Sequence, residues 1–260
     1  IENINKIAHP FEMTIFIGLG CKNSKITELS EITNANIITT FSAKGIVPET
    51  HPNWLWCCIG DGMPIARKKI FEKTKLLLCI GCKLSELSTS HFSVLFPENS
   101  FHISLEPGEC IYMKRIWGDA VECIDYLYEK VKKQKRYKIT HPSVSTPYPI
   151  LTQLNSQFPN AIVTTDSGNT TPFVSEAWRC KSPCFYSPTN YSCMGFSLPV
   201  MYGAIRNPNE CGISFVGDGA FLMTYQVLKL ISKEKKNILI VVFRDTHLGM
   251  IKFKNQIVCQ

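Results

Sequence analysis

The sequence predicts an α/β protein of two domains, each a parallel sheet flanked by helices. Three observations carry this. Short apolar runs rich in branched residues alternate with helix-period segments almost throughout the 260 residues, which is the pattern of βαβ units. The alternation stops at a Pro/Ser/Thr-rich stretch and then restarts. Hydrophobic residues make up 45% and charged residues 19%, the balance of a chain with a real core.

The elements follow in order. MTIFIGLG (13–20) reads as a strand, ITELSEIT (26–33) as a helix and NIITT (36–40) as a strand. ARKKIFEKT (66–74) is a helix, while KLLLCIG (75–81) and FHISL (101–105) are strands. DAVECIDYLYEKVKKQ (119–134) is a long amphipathic helix, with Val121, Ile124, Leu127, Tyr128 and Val131 recurring at three- and four-residue steps. KRYKITHPSVSTPYP (135–149) marks the break. Beyond it come PILTQLNSQF (helix), AIVTTD (strand), a helix at 170–178, FSLPVMYGAI (helix), GISFVGD (strand), a helix at 221–233 and ILIVVF (strand). The expected domains are 1–137 and 146–260, with 138–145 as linker.

Lys and Arg number 28 against 21 Asp and Glu, a net charge of +7. Much of the excess lies in KVKKQKRYK (130–138), where Tyr137 is the sole aromatic. That run reads as a solvated helix end rather than a nucleic-acid or membrane surface. No apolar run reaches the ~18 residues of a membrane span. The twelve cysteines are scattered. CIGC (79–82) has CxxC spacing but sits on a strand end with no second CxxC behind it, so structural zinc is not the reading. The sequence shows no signal peptide, and reduced thiols in a cytoplasmic protein are the expectation. It begins at Ile1 rather than Met, as a piece of a longer product would.

The chemistry concentrates in GDGAFLMTYQ (217–226), directly after the strand ISFV. In open α/β sheets ligands bind outside the carboxyl ends of the strands. Gly217 and Gly219 allow close backbone approach, and the following helix start suits a phosphate. Asp218 would repel that phosphate unless a cation lay between them. A divalent ion bridging carboxylate and phosphate resolves the conflict, and Mg²⁺ fits because it takes one or two carboxylates plus phosphate oxygens. A second ligand is expected at the next strand end, where RDTHLGM (244–250) places Asp245, 27 residues after Asp218, with the His247 carbonyl and Gly249 beside it. A second copy, IGDGMP (59–64), has no such partner: Ser88 stands 27 residues after Asp61, so that copy reads as a glycine-rich turn. GLG (18–20) lacks the third glycine of a dinucleotide fingerprint.

GDGAFLMTYQ followed one βαβ unit later by RDTHLGM resembles the cofactor signature of thiamine-diphosphate-dependent enzymes of the acetolactate synthase-like family. CMGFSLPVMYGAI (193–205), VTTDSGNTTP (163–172) and GMIKFKNQ (249–256) resemble further segments of that family in the same order. FSAKGIVPETHP (41–52) and LLLCIGCKL (76–84) resemble its central domain. The resemblance implies a Rossmann-like central domain followed by a thiamine-diphosphate-binding domain. It implies Mg²⁺ on Asp218, Asp245 and the His247 carbonyl, and cofactor contacts from Asn169, Thr170, Met194, Gly217, Gly219, Ala220, Phe221, Gly249 and Met250. Met194 would prop the cofactor into a bent shape. Met194 as plain core, and Asn169 as a simple helix cap, are the alternatives. The implied reaction is decarboxylation and carboligation of 2-oxo acids. Simple decarboxylation, or a catalytically inactive binding module, are the other readings. FAD occurs in such enzymes, without direct support here, and a homo-oligomer, dimer or tetramer, is implied.

Two departures stand out. Asp245 replaces the family's usual Asn, and two unit charges ~4 Å apart repel by about 4 kcal/mol at an effective dielectric of ~20. The family's activating glutamate lies in an N-terminal pyrimidine-binding domain, so no catalytic residue is assigned within these 260 residues.

Overall fold

A computed structural model describes residues 12–106, 108, 113–133, 135 and 139–252. The start of the chain (1–11), part of the basic run (134, 136–138) and the end of GMIKFKNQ lie outside the described residues. The chain divides into two compact units, one of residues 1–145 with 181–183, the other of 146–180 with 184–260.

The first unit is a six-stranded parallel sheet. Its elements are β1 (Met13–Ile17), α1 (Ile26–Thr33), β2 (Asn36–Thr39), β3 (Trp54–Trp56), α2 (Ile65–Phe71), β4 (Leu76–Ile80), β5 (Asn99–Ser104), β6 (Lys114–Trp117) and α3 (Ala120–Val131). The strand order is β3-β2-β1-β4-β5-β6, the doubly wound arrangement. β1 and β4 are buried along their whole length, which is why their sequences are unbroken apolar runs. Alternate residues feed opposite faces. Ile15, Ile17, Leu78 and Ile80 join Leu29 and Ile124 on one side, while Phe16, Leu77 and Cys79 join Trp54, Trp56 and Phe71 on the other. α3 starts where Asp119 accepts from the Val121 and Glu122 amides at 2.8 and 3.0 Å, a side-chain cap. α1 stops at Asn34 in the left-handed region, φ 55°.

At the switch point between β1 and β4 the chain closes on itself: a Cβ built on Gly18 would stand 2.1 Å from the Gly81 carbonyl oxygen. The second GDG is a turn, with Gly60 at φ 89°, the Asp61 amide donating to Ser90 Oγ and the Asp61 carboxylate pairing with Lys68 at the surface. The segment following α3 includes Ile139, which is buried and donates its amide to Asn53 Oδ1 at 2.9 Å. The described cysteines are free thiols, most of them buried, Cys79 and Cys82 included.

The second unit runs α4 (Pro149–Gln157), β7 (Ile162–Thr165), α5 (Thr170–Ala177), β8 (Phe185–Tyr186), α6 (Ser197–Ala204), β9 (Gly212–Gly217), α7 (Asp218–Thr224), α8 (Val227–Lys233) and β10 (Ile238–Phe243). Its parallel sheet has the order β10-β9-β7-β8. Val163, Ile213 and Phe215 form the core with Leu151, Val174 and Trp178. Among the described residues β10 and β8 form the two edges of this sheet, and on β10 Leu239 and Val242 remain about two-fifths exposed.

One expectation is corrected. The helix expected over 221–233 is two helices of seven residues, and the first begins at Asp218. Gly217 serves as N-cap, so Asp218 belongs to the first helical turn, where an acidic residue is favoured. β3, β6 and β8 are additional to the strands read from sequence. β6 is exposed along its length and β8 has two residues, so neither leaves an apolar pattern.

Lys44 and Glu49 form a fully buried ion pair, Nζ to Oε1 2.7 Å and to Oε2 2.9 Å. Removing one member of a buried pair strands the other charge. Lys44→Met should destabilise the first unit by about 3–5 kcal/mol, and Lys44→Met combined with Glu49→Leu should recover most of the loss. Urea unfolding of the three proteins measures both.

Candidate functional site

Three parallel strands of the second unit end at one edge. The ladder pairs Phe243 with Gly217 and Thr165 with Phe215, so the residues just past β7, β9 and β10 become neighbours. They line a cavity of about 290 Å³. From the β7 end come Ser167, Gly168, Asn169 and Thr170; from the β9 end Gly217, Asp218, Gly219 and Ala220; from the β10 end Arg244, Asp245, His247, Leu248, Gly249 and Met250. Met194 reaches in from the turn before α6.

The two acidic residues of the signature therefore share one cavity. Asp218 Oδ1 accepts from the Gly219 amide at 2.9 Å, and Oδ2 from the Thr246 amide at 3.1 Å. That second bond ties the β9 loop to the β10 loop. Asp245 Oδ1 accepts from the His247 amide at 3.0 Å, and Thr246 between them takes a left-handed conformation, φ 59°. The turn thus folds back on the carboxylate that begins it.

Bare backbone faces these groups. A Cβ on Gly249 would lie 2.4 Å from Asp245 Oδ2 and 3.0 Å from Asn169 Nδ2. Carboxylate and amide therefore converge on the one spot that only glycine leaves open. A Cβ on Gly219 would meet Met194 Cε at 3.4 Å and Leu248 Cδ2 at 3.5 Å. Asn169 has helical backbone angles and makes no side-chain cap bond, so its amide is not used as a helix cap. Met194 is half-buried and lines the cavity rather than filling the core. Phe221 is the residue of the expected set that does not line it; it lies in α7 after Ala220. Among the described residues no group of three or more His, Cys, Asp or Glu side chains could hold a metal; two acidic residues, Asp218 and Asp245, line the cavity.

Two residues lie outside the set read from sequence. Arg244, a cationic residue next to Asp245 in sequence, is among those lining the cavity. Asp166, fully buried at the β7 end, supports the floor: Oδ1 accepts from the Ser167 and Gly195 amides at 2.9 Å each, and Oδ2 from the Ser197 amide at 2.8 Å. Burial holds its carboxyl above the ordinary carboxylate range, and these backbone donors offset only part of that rise. Both residues stand in segments the signature draws attention to, VTTDSGN and RDTHLGM; neither burial nor orientation is visible there.

Under the floor runs a buried hydroxyl chain. Thr164 Oγ1 is 2.8 Å from Ser197 Oγ, which is 2.7 Å from Ser214 Oγ. It links β7, α6 and β9. Ser197→Ala removes the middle hydroxyl and leaves Ser214 without this partner. A loss of about 1–3 kcal/mol in urea unfolding is expected, the cost of an unsatisfied buried polar group.

Comparison with known proteins agrees with this geometry. Residues 166–259 match the family model "Thiamine pyrophosphate enzyme, C-terminal TPP binding domain" and residues 2–127 match "Thiamine pyrophosphate enzyme, central domain". The chain is 27% identical over 262 residues to a probable acetolactate synthase large subunit of Methanocaldococcus jannaschii, covering 88% of this chain and 44% of that protein. It is 22% identical over 270 residues to the acetolactate synthase isozyme 2 large subunit of Escherichia coli, 94% of this chain and 48% of that one. With acetolactate synthase 2, chloroplastic, of Zea mays it shares 26% over 269 residues, 91% and 42%. The chain thus spans less than half the length of these relatives.

Proposed function

The chain belongs to the thiamine pyrophosphate enzymes, in their acetolactate synthase-like branch, and on that premise we propose that its second unit holds thiamine diphosphate through Mg²⁺ for decarboxylation and carboligation of 2-oxo acids. The observation that carries this reading is the pairing of Asp218 and Asp245 on one cavity, tied by the Thr246 amide to Asp218.

The residues fit such a group. An all-oxygen set, two carboxylates and the His247 carbonyl, suits a hard cation of the Mg²⁺ kind. Gly219 and Gly249 leave backbone bare where a side chain would fill the cradle. In this reading Asp218, Asp245 and the His247 carbonyl hold the cation. The Asn169 amide and Thr170 hydroxyl donate to diphosphate oxygens, and Gly217, Gly219 and Ala220 line its path. Met194 and Met250 supply apolar contact to the organic part. Arg244 offsets the charge that Asp245 adds to the site. When bound, thiamine diphosphate supplies the electron sink for losing CO₂ from a 2-oxo acid; the chain's part is to bind, orient and screen it.

A homo-oligomer is part of the proposal. Leu222, Met223, Leu248, Met250 and Ile251 are all exposed, and exposed apolar residues grouped near a cavity support a covering partner. Asp245 in place of Asn supports a second reading, a module that binds the cofactor without turning substrate over. Release of CO₂ from pyruvate by the loaded protein, measured with a glutamate-bearing pyrimidine-binding domain supplied, separates the two.

Isothermal titration of the full chain tests the core claim. Thiamine diphosphate should bind with Mg²⁺ and not in excess EDTA. Asp218→Asn should weaken binding by at least ~100-fold, since a charged ligand to the cation is lost. Gly249→Ala should weaken it by ~10-fold or more by displacing the Asp245 and Asn169 side chains, with thermal stability nearly unchanged. Equal affinity in Asp245→Asn and wild type would remove Asp245 from the ligand set.

A further inference from the structure

We propose that Asp166 is a positioning residue: its buried carboxylate fixes the Met194–Ser197 turn so that the Met194 side chain stands against the Gly217–Gly219 loop. This rests on the reading of the cavity as a thiamine diphosphate site and adds to it a residue that does not line that cavity.

The geometry runs from strand to ligand wall in three steps. First, Asp166 follows β7 immediately and is fully buried. Among the described residues it forms no ion pair. Backbone amides answer its charge, from Ser167, Gly195 and Ser197. An ionised carboxyl without a counter-ion is costly to bury, so this position carries a cost that an apolar residue would avoid. Second, two of those amides belong to the turn that precedes and opens α6. Gly195 there takes φ 79°, and a Cβ on it would come within 3.0 Å of Thr224 Cγ2 at the end of α7. The turn is thus held by a carboxylate on one side and pressed on α7 on the other. Third, Met194, the residue before the pinned amide, extends its Cε to 3.4 Å from where a Cβ on Gly219 would stand, at the start of the same helix. Freeing the Gly195 amide releases the side chain one residue away from it.

A carboxylate that serves only to satisfy the α6 amides would affect every ligand of the cavity alike. A positioning residue acting through Met194 affects only a ligand that touches Met194. Inorganic pyrophosphate with Mg²⁺ reports the Asp218–Asp245 end alone, whereas thiamine diphosphate also carries the organic part that Met194 faces.

The experiment is a double-mutant cycle on the full chain, with Asp166→Asn, Met194→Ala and their combination titrated with each ligand in Mg²⁺. Asp166→Asn should weaken thiamine diphosphate by ~10-fold or more and pyrophosphate by less than ~3-fold, and in the Met194→Ala background its penalty should fall below ~3-fold for both ligands, the non-additivity expected of coupled residues. An Asp166→Asn penalty equal for the two ligands, or one that survives in the Met194→Ala background, overturns the proposal. If Asp166→Asn does not fold, Gly195→Ala disturbs the same turn from its α7 side, and the cycle is run with it, with the same pattern expected and the same overturning results. Failure of the two readings is distinguishable. A wild-type chain that takes neither ligand removes the functional reading and this role with it, whereas a wild type that binds both and shows additive mutants removes only the role of Asp166.

Discussion

The register between β9 and β10 is the constraint on which the site depends. Phe243 lies opposite Gly217 in a parallel ladder, so both strands present their next residues to the same edge. A slip of one residue would turn every side chain of β10 to the opposite face and would separate Asp245 from Asp218. Packing diagonally across the ladder supports the register: Phe215, opposite Val241, sits fully buried with its ring 6.2 Å from Phe243 and 5.8 Å from Trp178. The hydrogen bond from the Thr246 amide to Asp218 then fixes the loop beyond the ladder. Core packing thus sets where the chemistry stands.

Much of this was legible in the sequence, for identifiable reasons. Fully buried parallel strands write themselves as unbroken apolar runs, so MTIFI and LLLCI mark β1 and β4 closely, and ILIVVF marks β10 by the same apolar run although that strand is only partly covered. The helix ITELSEIT ends on Asn34 and is bounded correctly. The edge strand β6 and the two-residue β8 are invisible because neither buries a patterned face. The break between α7 and α8 is hidden because FLMTYQVLKL contains neither Gly nor Pro. At the site, the glycine–acid–glycine spacing pointed to Asp218 and Asp245. Asp166 reads only as the end of a strand, since its significance lies in amides 29 and 31 residues away, a relation that requires the fold.

Charge organises the cavity differently from its surroundings. Asp218 and Asp245 line the open space with their carboxyls held by neighbouring amides, while Asp166 does not line it and accepts three backbone amides beneath it. Three carboxylates at one sheet edge are therefore placed differently, one pair lining the cavity and one bonded to the backbone beneath it. Arg244 lines the cavity beside Asp245, so one of the two acidic residues has a cationic neighbour in sequence.

The edge position of β10 has a consequence for handling the molecule. Within the described residues it ladders only with β9, and its apolar side chains are only partly covered. A long apolar strand with one open row of amides and carbonyls is a template for strand addition. Colloidal behaviour of the isolated chain therefore depends on whatever occupies that row, since strand addition between copies grows with concentration.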